Sequence, residues 1–250
     1  MKRRRAENGA PWLPKSMSVK SVYLPSLDSL EEAGVIRIVG DEHRHLVVAR
    51  AEPGESIEAF DGRGAVWTAK VESVGKKEVL ARVEGKRTVA REPHELILGL
   101  ALVRAAAFEL ALEKAVEIGV TRIAPFIAAR SNASAPRRTD RWTRIVVEAA
   151  KQSKRFHLPV VDEPVEFEAM LSLPVSTRIV FAERGGGSLK SALAGSPLLY
   201  LVGPEGGWTD AELEQACEKG FSVVTLGPGI LKAETAAIVG GALIRYELQG

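Results

Sequence analysis

Five glycines stand in two short segments near the carboxyl end of the chain, LVGPEGGW at 201 to 208 and LGPGILKAETA at 226 to 236. At Gly203, Gly206, Gly207, Gly227 and Gly229 no side chain blocks a flat ligand from the backbone amides and carbonyls, and Pro204 and Pro228 stiffen the turns. A lone glycine usually does no more than turn a corner. Five at the ends of two successive apolar runs, PLLYLVG and FSVVTLG, describe a preformed slot. In open α/β sheets ligands bind at the carboxyl ends of strands, where both runs stop.

The missing motifs bound the chemistry of that slot. Neither G-x-G-x-x-G nor G-x-x-x-x-G-K-[ST] occurs, so dinucleotide and nucleoside triphosphate readings fall. Glu205 stands inside the first turn and Glu234 opens the last helix, which puts negative charge where a phosphate site would present amides or a lysine. A cationic or neutral ligand fits better. S-adenosylmethionine has those properties: a sulfonium, no phosphate, and an adenine that backbone groups can read.

The elements that must position these turns begin near residue 96. LILGLALV, TRIAPFIA, TRIVFAE, PLLYLVG and FSVVTLG read as strands alternating with helices, which predicts an α/β domain with a mostly parallel sheet covered on both faces. Phe108, Ala111, Leu112, Ala115 and Val116 recur at helical spacing up to Gly119. Further helices are expected near 140–156, 166–171, 209–219 and 233–248, and Thr209 with Glu212 fits a capping box. Upstream, VIRIV, SIEAFD, AVWTAKVESV and EVLARVEG form a small β-rich domain punctuated by Pro53-Gly54, Asp61-Gly62 and a hairpin turn at Gly75-Lys76-Lys77. One helix, 41–50, interrupts it with Asp41 as its cap. Residues 1–18, with KRRR at 2 to 5 and a more typical opening at Met17, read as a disordered extension; 19–90 read as the β domain and 91–250 as the α/β domain.

Composition excludes several classes. The 250 residues, 46% hydrophobic and 26% charged, suffice for two cores. No run of eighteen apolar residues exists, and the start lacks the apolar core of a secretory signal, so no membrane partner and a cytoplasmic location are expected. The single Cys217 makes no internal disulfide, and His43 and His45, two apart, do not share a helix face, so no metal site is expected. A net charge of +2 permits nucleic-acid binding without demanding it.

GPEGG at 203 to 207 followed by a helix, LGPGILKAETA, EKAVEIGV at 113 to 120, EAAKQSKRFHLP at 148 to 159, and HLVVAR at 45 to 50 before Pro53-Gly54 together resemble one family over residues 20 to 248. That family is the RsmE-type 16S ribosomal RNA (uracil-N3) methyltransferases of the SPOUT superfamily. The resemblance implies a C-terminal SPOUT-type domain with a trefoil knot and an N-terminal PUA-like β-barrel domain that binds RNA. It further implies a homodimer and S-adenosylmethionine-dependent methylation of a uridine N3 in 16S rRNA or the small ribosomal subunit. Topology rules alone would reject a knot.

The implied cofactor residues are Leu201, Gly203, Gly206, Gly207, Leu226, Gly227, Leu231 and Thr235. Uracil N3 carries a proton that must leave before nitrogen attacks a methyl group, so a base or an anion stabiliser is required. Lys232 is expected to stabilise the uridinate oxygens, with Glu205 or Glu234 positioning the base or accepting its proton. Glu234 could equally be a carboxylate favoured by the helix dipole. His45, Arg50, Arg104, Gln152 and Arg155 are the RNA contacts expected. Glu148, Gln152 and Arg155 share one helix face beside the stripe of Trp142, Ile145, Ala149 and Phe156, a pattern that a plain solvated face also shows.

The chain departs from the family at Gly229, where arginine is usual, at Leu231-Lys232-Ala233-Glu234-Thr235 in place of Leu-Arg-Thr-Glu-Thr, and at Arg104-Ala105-Ala106-Ala107 in place of a basic, glycine-containing loop. Lysine keeps the charge and loses the bidentate fork. The alternatives are an RNA-binding module of the same fold with lost catalysis, and a SPOUT enzyme with another RNA target.

Overall fold

A computed structural model describes residues 19–27, 34–131 and 140–249; the extension expected over 1–18 lies outside the described residues. Of these, 19–22, 34–59 and 67–86 form one compact unit, and 23–27, 60–66, 87–131 and 140–249 form another.

The first unit is built on a five-stranded sheet. Its elements are β1 (Lys20–Tyr23), β2 (Val35–Ile38), α1 (Gly40–Val48), β3 (Ser56–Phe60), β4 (Ala65–Val74) and β5 (Val79–Thr88), with strand order β1-β3-β4-β5-β2. Alternation sets its buried face: Trp67, Ala69 and Val71 of β4 and Val79, Ala81 and Val83 of β5 are buried, while Lys70 and Glu72 are exposed. The expected hairpin turn is present, with Gly75 N donating to Glu78 O at 2.8 Å. β1, the segment KSVY, is too short to show alternation in the sequence. The cap expected at Asp41 is corrected: Val39 holds the cap position without a side-chain hydrogen bond, and the Asp41 carboxylate pairs with Arg44 one turn on.

The second unit carries β6 (Leu96–Ala101), α2 (Ala105–Ile118), β7 (Arg122–Ile127), α3 (Asp140–Ser153), β8 (Val160–Val161), β9 (Val165–Glu166) and α4 (Phe167–Leu171). It continues through β10 (Thr177–Phe181), α5 (Leu189–Ala192), β11 (Leu198–Val202), α6 (Asp210–Glu218), β12 (Ser222–Val224) and α7 (Ala233–Gln249). Its sheet runs β12-β10-β11-β6-β7-β8, with β9 also on β7, and the neighbouring strands pair in parallel. Every residue of β6 and β11 is buried. Leu198, Tyr200 and Val202 face a core shared with α2, α3 and α7; Leu199 and Leu201 face a second core shared with α4 and α6. The sheet is thus covered on both faces, as the alternation of strands and helices requires.

Helix ends follow local chemistry. Gly119, at φ +87°, ends α2 with its N–H on the carbonyls of Ala115 and Val116. At α6 the Thr209 hydroxyl accepts from Glu212 N at 3.2 Å and the Glu212 carboxylate accepts from Thr209 N at 2.8 Å, the reciprocal cap expected. α7 packs on α2, β11 and β6, and it carries a glycine pair, facing Phe181 and Tyr200, whose role the sequence did not reveal. A β-carbon on Gly241 would lie 2.6 Å from Tyr200 Oη, and one on Gly240 would enter the Phe181 ring. No helix among the described residues is long and apolar enough to cross a membrane.

Gly240→Ala should therefore lower stability by about 1–3 kcal/mol through overpacking, although alanine favours a helix by about 1 kcal/mol over glycine. Urea denaturation checks this; an unchanged midpoint would contradict the packing described.

Candidate functional site

The loops after β10, β11 and β12 meet around a cleft of about 530 Å³, and Arg104 and Arg130 reach it from the loops after β6 and β7. Five parallel strands thus contribute from their carboxyl ends.

Trp208 shapes the first glycine turn. A β-carbon on Gly203 would lie 2.8 Å from the Trp208 ring, so the indole lies directly on the backbone. Its Nε1 donates to Phe181 O at 2.8 Å, joining the ends of β11 and β10, and its ring stacks on Phe126 at a centroid distance of 6.0 Å. Gly207, at φ +70°, donates its N–H to Pro204 O at 2.9 Å and closes the turn. In the second turn Gly227 has φ +124°, whereas Gly229 has no atom within 4 Å of a β-carbon and an ordinary φ. Gly229 lines the cleft with open space beside it, which leaves room for the arginine that the resemblance leads one to expect there.

Gly203, Gly206, Gly207, Leu226, Gly227 and Leu231 line the cleft, and so do Glu205, Lys232, Glu234 and Arg104. Arg104 Nε donates to Glu205 Oε1 at 2.6 Å. This hydrogen bond and the Glu205 charge raise the Arg104 pKa, with a further contribution from Glu234. Leu201 and Thr235 do not line the cleft. Leu201 is fully buried in the second core, because strand alternation turns it to the opposite face from Val202, which does reach the cleft. Thr235 lies more than half a turn round α7 from Ala233 and is half-buried.

Of the face expected to unite Glu148, Gln152 and Arg155, the first two share α3 and line one depression, and Arg155 does not join them. α3 ends at Ser153, Lys154 takes φ +57°, and Arg155 leaves the helix. The Arg155 guanidinium donates to Glu117 O at 3.2 Å and pairs with Glu92, which also meets the buried Arg245 at 3.4 Å. Arg245 in turn donates to Gly119 O. Arg155 is therefore part of an ion network at the ends of α2 and α7. Gln152 is exposed on α3 in a separate depression lined also by Lys114, Glu117 and Arg144. His45 is half-buried on α1, and Arg50, at φ +52°, is exposed just beyond that helix in the β-sheet unit.

Sequence reasoning missed Arg130, Glu183 and Arg184. The rule that sites gather at strand ends would have found all three, each two or three residues beyond the end of β7 or β10. The cleft holds four cationic side chains (Arg104, Arg130, Arg184 and Lys232) and four anionic ones (Glu183, Glu205, Asp210 and Glu234). That balance suits a ligand of little net negative charge. Among the described residues no group of His, Cys, Asp and Glu could hold a metal ion.

Residues 90–245 match the family model of an RNA methyltransferase domain, and residues 39–84 match that of an RNA methyltransferase PUA domain. The chain is 32% identical to ribosomal RNA small subunit methyltransferase E of Bacillus subtilis, covering 88% of this chain and 93% of that one. It is 31% identical to the protein of that name from Synechocystis, covering 93% and 79%. A crystal structure of ribosomal RNA small subunit methyltransferase E from Neisseria gonorrhoeae bound to S-adenosyl methionine is similar at a TM-score of 0.83 and 32% identity, over 91% of this chain and 97% of that one.

Gly203→Ala should displace the Trp208 indole and lower stability by about 1–3 kcal/mol. Near-ultraviolet circular dichroism with urea unfolding tests it; a native tryptophan signal at unchanged stability would show that the turn tolerates a β-carbon.

Proposed function

We infer the reaction from the family: this chain belongs to the ribosomal RNA small subunit methyltransferase E family, joining an RNA methyltransferase domain to an RNA methyltransferase PUA domain. It is an S-adenosylmethionine-dependent methyltransferase of ribosomal RNA. The observation that carries this reading is the glycine-cornered cleft at the ends of β10, β11 and β12 in a chain so similar to a structure holding that cofactor.

The residues present fit the cofactor. A cleft of about 530 Å³ is of the size that encloses small ligands, about 300–1,000 Å³. Gly207 and Gly227 have nothing within 4 Å of a β-carbon and leave backbone groups accessible, Gly203 and Gly206 instead seat Trp208 and Arg130, and Leu226, Leu231 and Val202 supply apolar contact. When bound, S-adenosylmethionine supplies an electrophilic methyl group. The finer reading is transfer to N3 of a uridine in 16S rRNA. Lys232 stabilises the negative charge that collects on the uracil oxygens as the N3 proton leaves. The proton acceptor is Glu234, in the first turn of α7. Glu205 is engaged by Arg104 at 2.6 Å, so its part is to hold that arginine at the cleft, where a phosphate of the RNA can meet it.

His45 and Arg50 of the PUA-type unit, and exposed Gln152, remain the further RNA contacts; Arg155 is assigned to the ion network instead. A trefoil knot is supported by β12 lying outside β10 while α7 returns to β11 and β6. A homodimer is supported by exposed Leu243 and Tyr246 on α7 and Leu110 on the adjoining α2. A ribosomal substrate implies the cytoplasm. One observation favours a catalytically silent RNA-binding module, the open space beside Gly229 where relatives are expected to carry arginine.

Calorimetric titration separates these readings: the enzyme takes up S-adenosylmethionine, and absence of binding would favour the module. Lys232→Ala should lower turnover by about 100-fold or more with cofactor affinity nearly unchanged. A wild-type rate in that variant would remove the role. Reverse transcription across small-subunit RNA should stop at the target only in cells carrying the gene; an unchanged pattern of stops would exclude the N3 position.

A further inference from the structure

Two peptide units in the first glycine turn are held at both ends. In the unit joining Gly206 to Gly207, the N–H donates to Pro204 O at 2.9 Å. In the unit joining Trp208 to Thr209, the N–H donates to Glu212 Oε2 at 2.8 Å. Among the described residues no backbone N–H donates to the carbonyl of either unit. Both carbonyls accept from a single atom, Arg130 Nη1, at 3.0 Å from Gly206 O and 3.3 Å from Trp208 O. A peptide unit is planar, so fixing its carbonyl and its N–H fixes its orientation. Between the two pinned planes lies Gly207, at φ +70°, the residue with the greatest backbone freedom in the turn.

The segment carrying Arg130 is itself anchored. Ala129 N donates to Glu212 Oε1 at 2.9 Å, so the two oxygens of one buried carboxylate bind the loop after β7 and the start of α6. Ala128 N donates to Ser131 Oγ at 2.9 Å and closes the segment on itself. Gly206 leaves room for the arginine stem: a β-carbon there would lie 3.1 Å from Arg130 Cβ. Among the described residues Arg130 pairs with no carboxylate, so its donors serve the turn.

We propose that Arg130 is a positioning residue for S-adenosylmethionine, acting through the carbonyls of Gly206 and Trp208 to hold the 203–208 backbone in its binding conformation. The proposal rests on the reading of the cleft as that cofactor's site. One guanidinium nitrogen shared between two carbonyls is a fixed planar arrangement; a lysine ammonium on a flexible stem reproduces it in part.

Hydrogen exchange of the ligand-free full chain tests the latch without the cofactor. In Arg130→Ala the Gly207 and Thr209 amides should exchange at least about fivefold faster, with those of β6 and β7 unchanged. Arg130→Lys should recover part of the protection. Calorimetric affinity for S-adenosylmethionine should fall about tenfold in Arg130→Ala. Exchange within about twofold of wild type at both amides would overturn the proposal, as would faster exchange with unaltered cofactor affinity. Faster exchange in a chain whose wild type takes up no S-adenosylmethionine would leave the latch standing and remove the assignment of the cleft.

Discussion

Trp208 packs over Gly203 with no space for a β-carbon between them, and its indole N–H donates to the last carbonyl of β10. A half-buried indole needs such a partner, and here the partner belongs to the neighbouring strand. One side chain therefore ties the turn after β11 to the end of β10, and through its contacts with Phe126 and Phe167 it carries the second core up to the wall of the cleft. The glycine turn, the start of α6 and the Arg130 contacts are all arranged around that seat. Without it the turn would be a flexible surface loop, and its glycines would cost conformational entropy with nothing to hold them.

Strand order brings the other groups to the same place. β11 lies between β10 and β6, and β12 lies beyond β10, so the three consecutive strands end side by side. The chain leaving β12 then carries Leu226 to Glu234 along the cleft before α7 settles on the sheet. The position of Lys232 and Glu234 thus depends on how closely α7 approaches β10 and β11, which Gly240 and Gly241 permit by removing β-carbons from the contact with Phe181 and Tyr200. A packing feature in the middle of a helix thus fixes the residues at its beginning.

The charges of the cleft divide by partner. Arg104 and Glu205 satisfy each other, and because the pair is largely exposed its contribution to stability is small. Its consequence is geometric: it commits a carboxylate that the glycine motif alone would offer as a base. Glu234 and Lys232 carry no such commitment among the described residues. At the far ends of α2 and α7, Glu92 sits between Arg155 and the buried Arg245, where an unpaired guanidinium would be costly.

Local patterns were legible in the residues themselves. Short β segments between turn residues identified β4 and β5, uninterrupted apolar runs identified β6 and β11, and the Thr209–Glu212 box and Gly119 marked helix ends, because each depends on neighbours within a few positions. The glycine turns, the lack of phosphate motifs and the carboxylates beside them already described the slot and its ligand class. The sequence could not say that Leu201 turns away from the cleft, that Arg155 leaves α3 at Lys154, or that Arg130 clasps a turn 76 residues distant. The first and last depend on which strands are neighbours and which face each presents, and the second on the left-handed turn at Lys154 and on the Glu117 carbonyl and Glu92 carboxylate that receive Arg155. Contacts of that kind follow from the order β12-β10-β11-β6-β7, set by the packing of the whole sheet, and leave no spacing in the chain to be read.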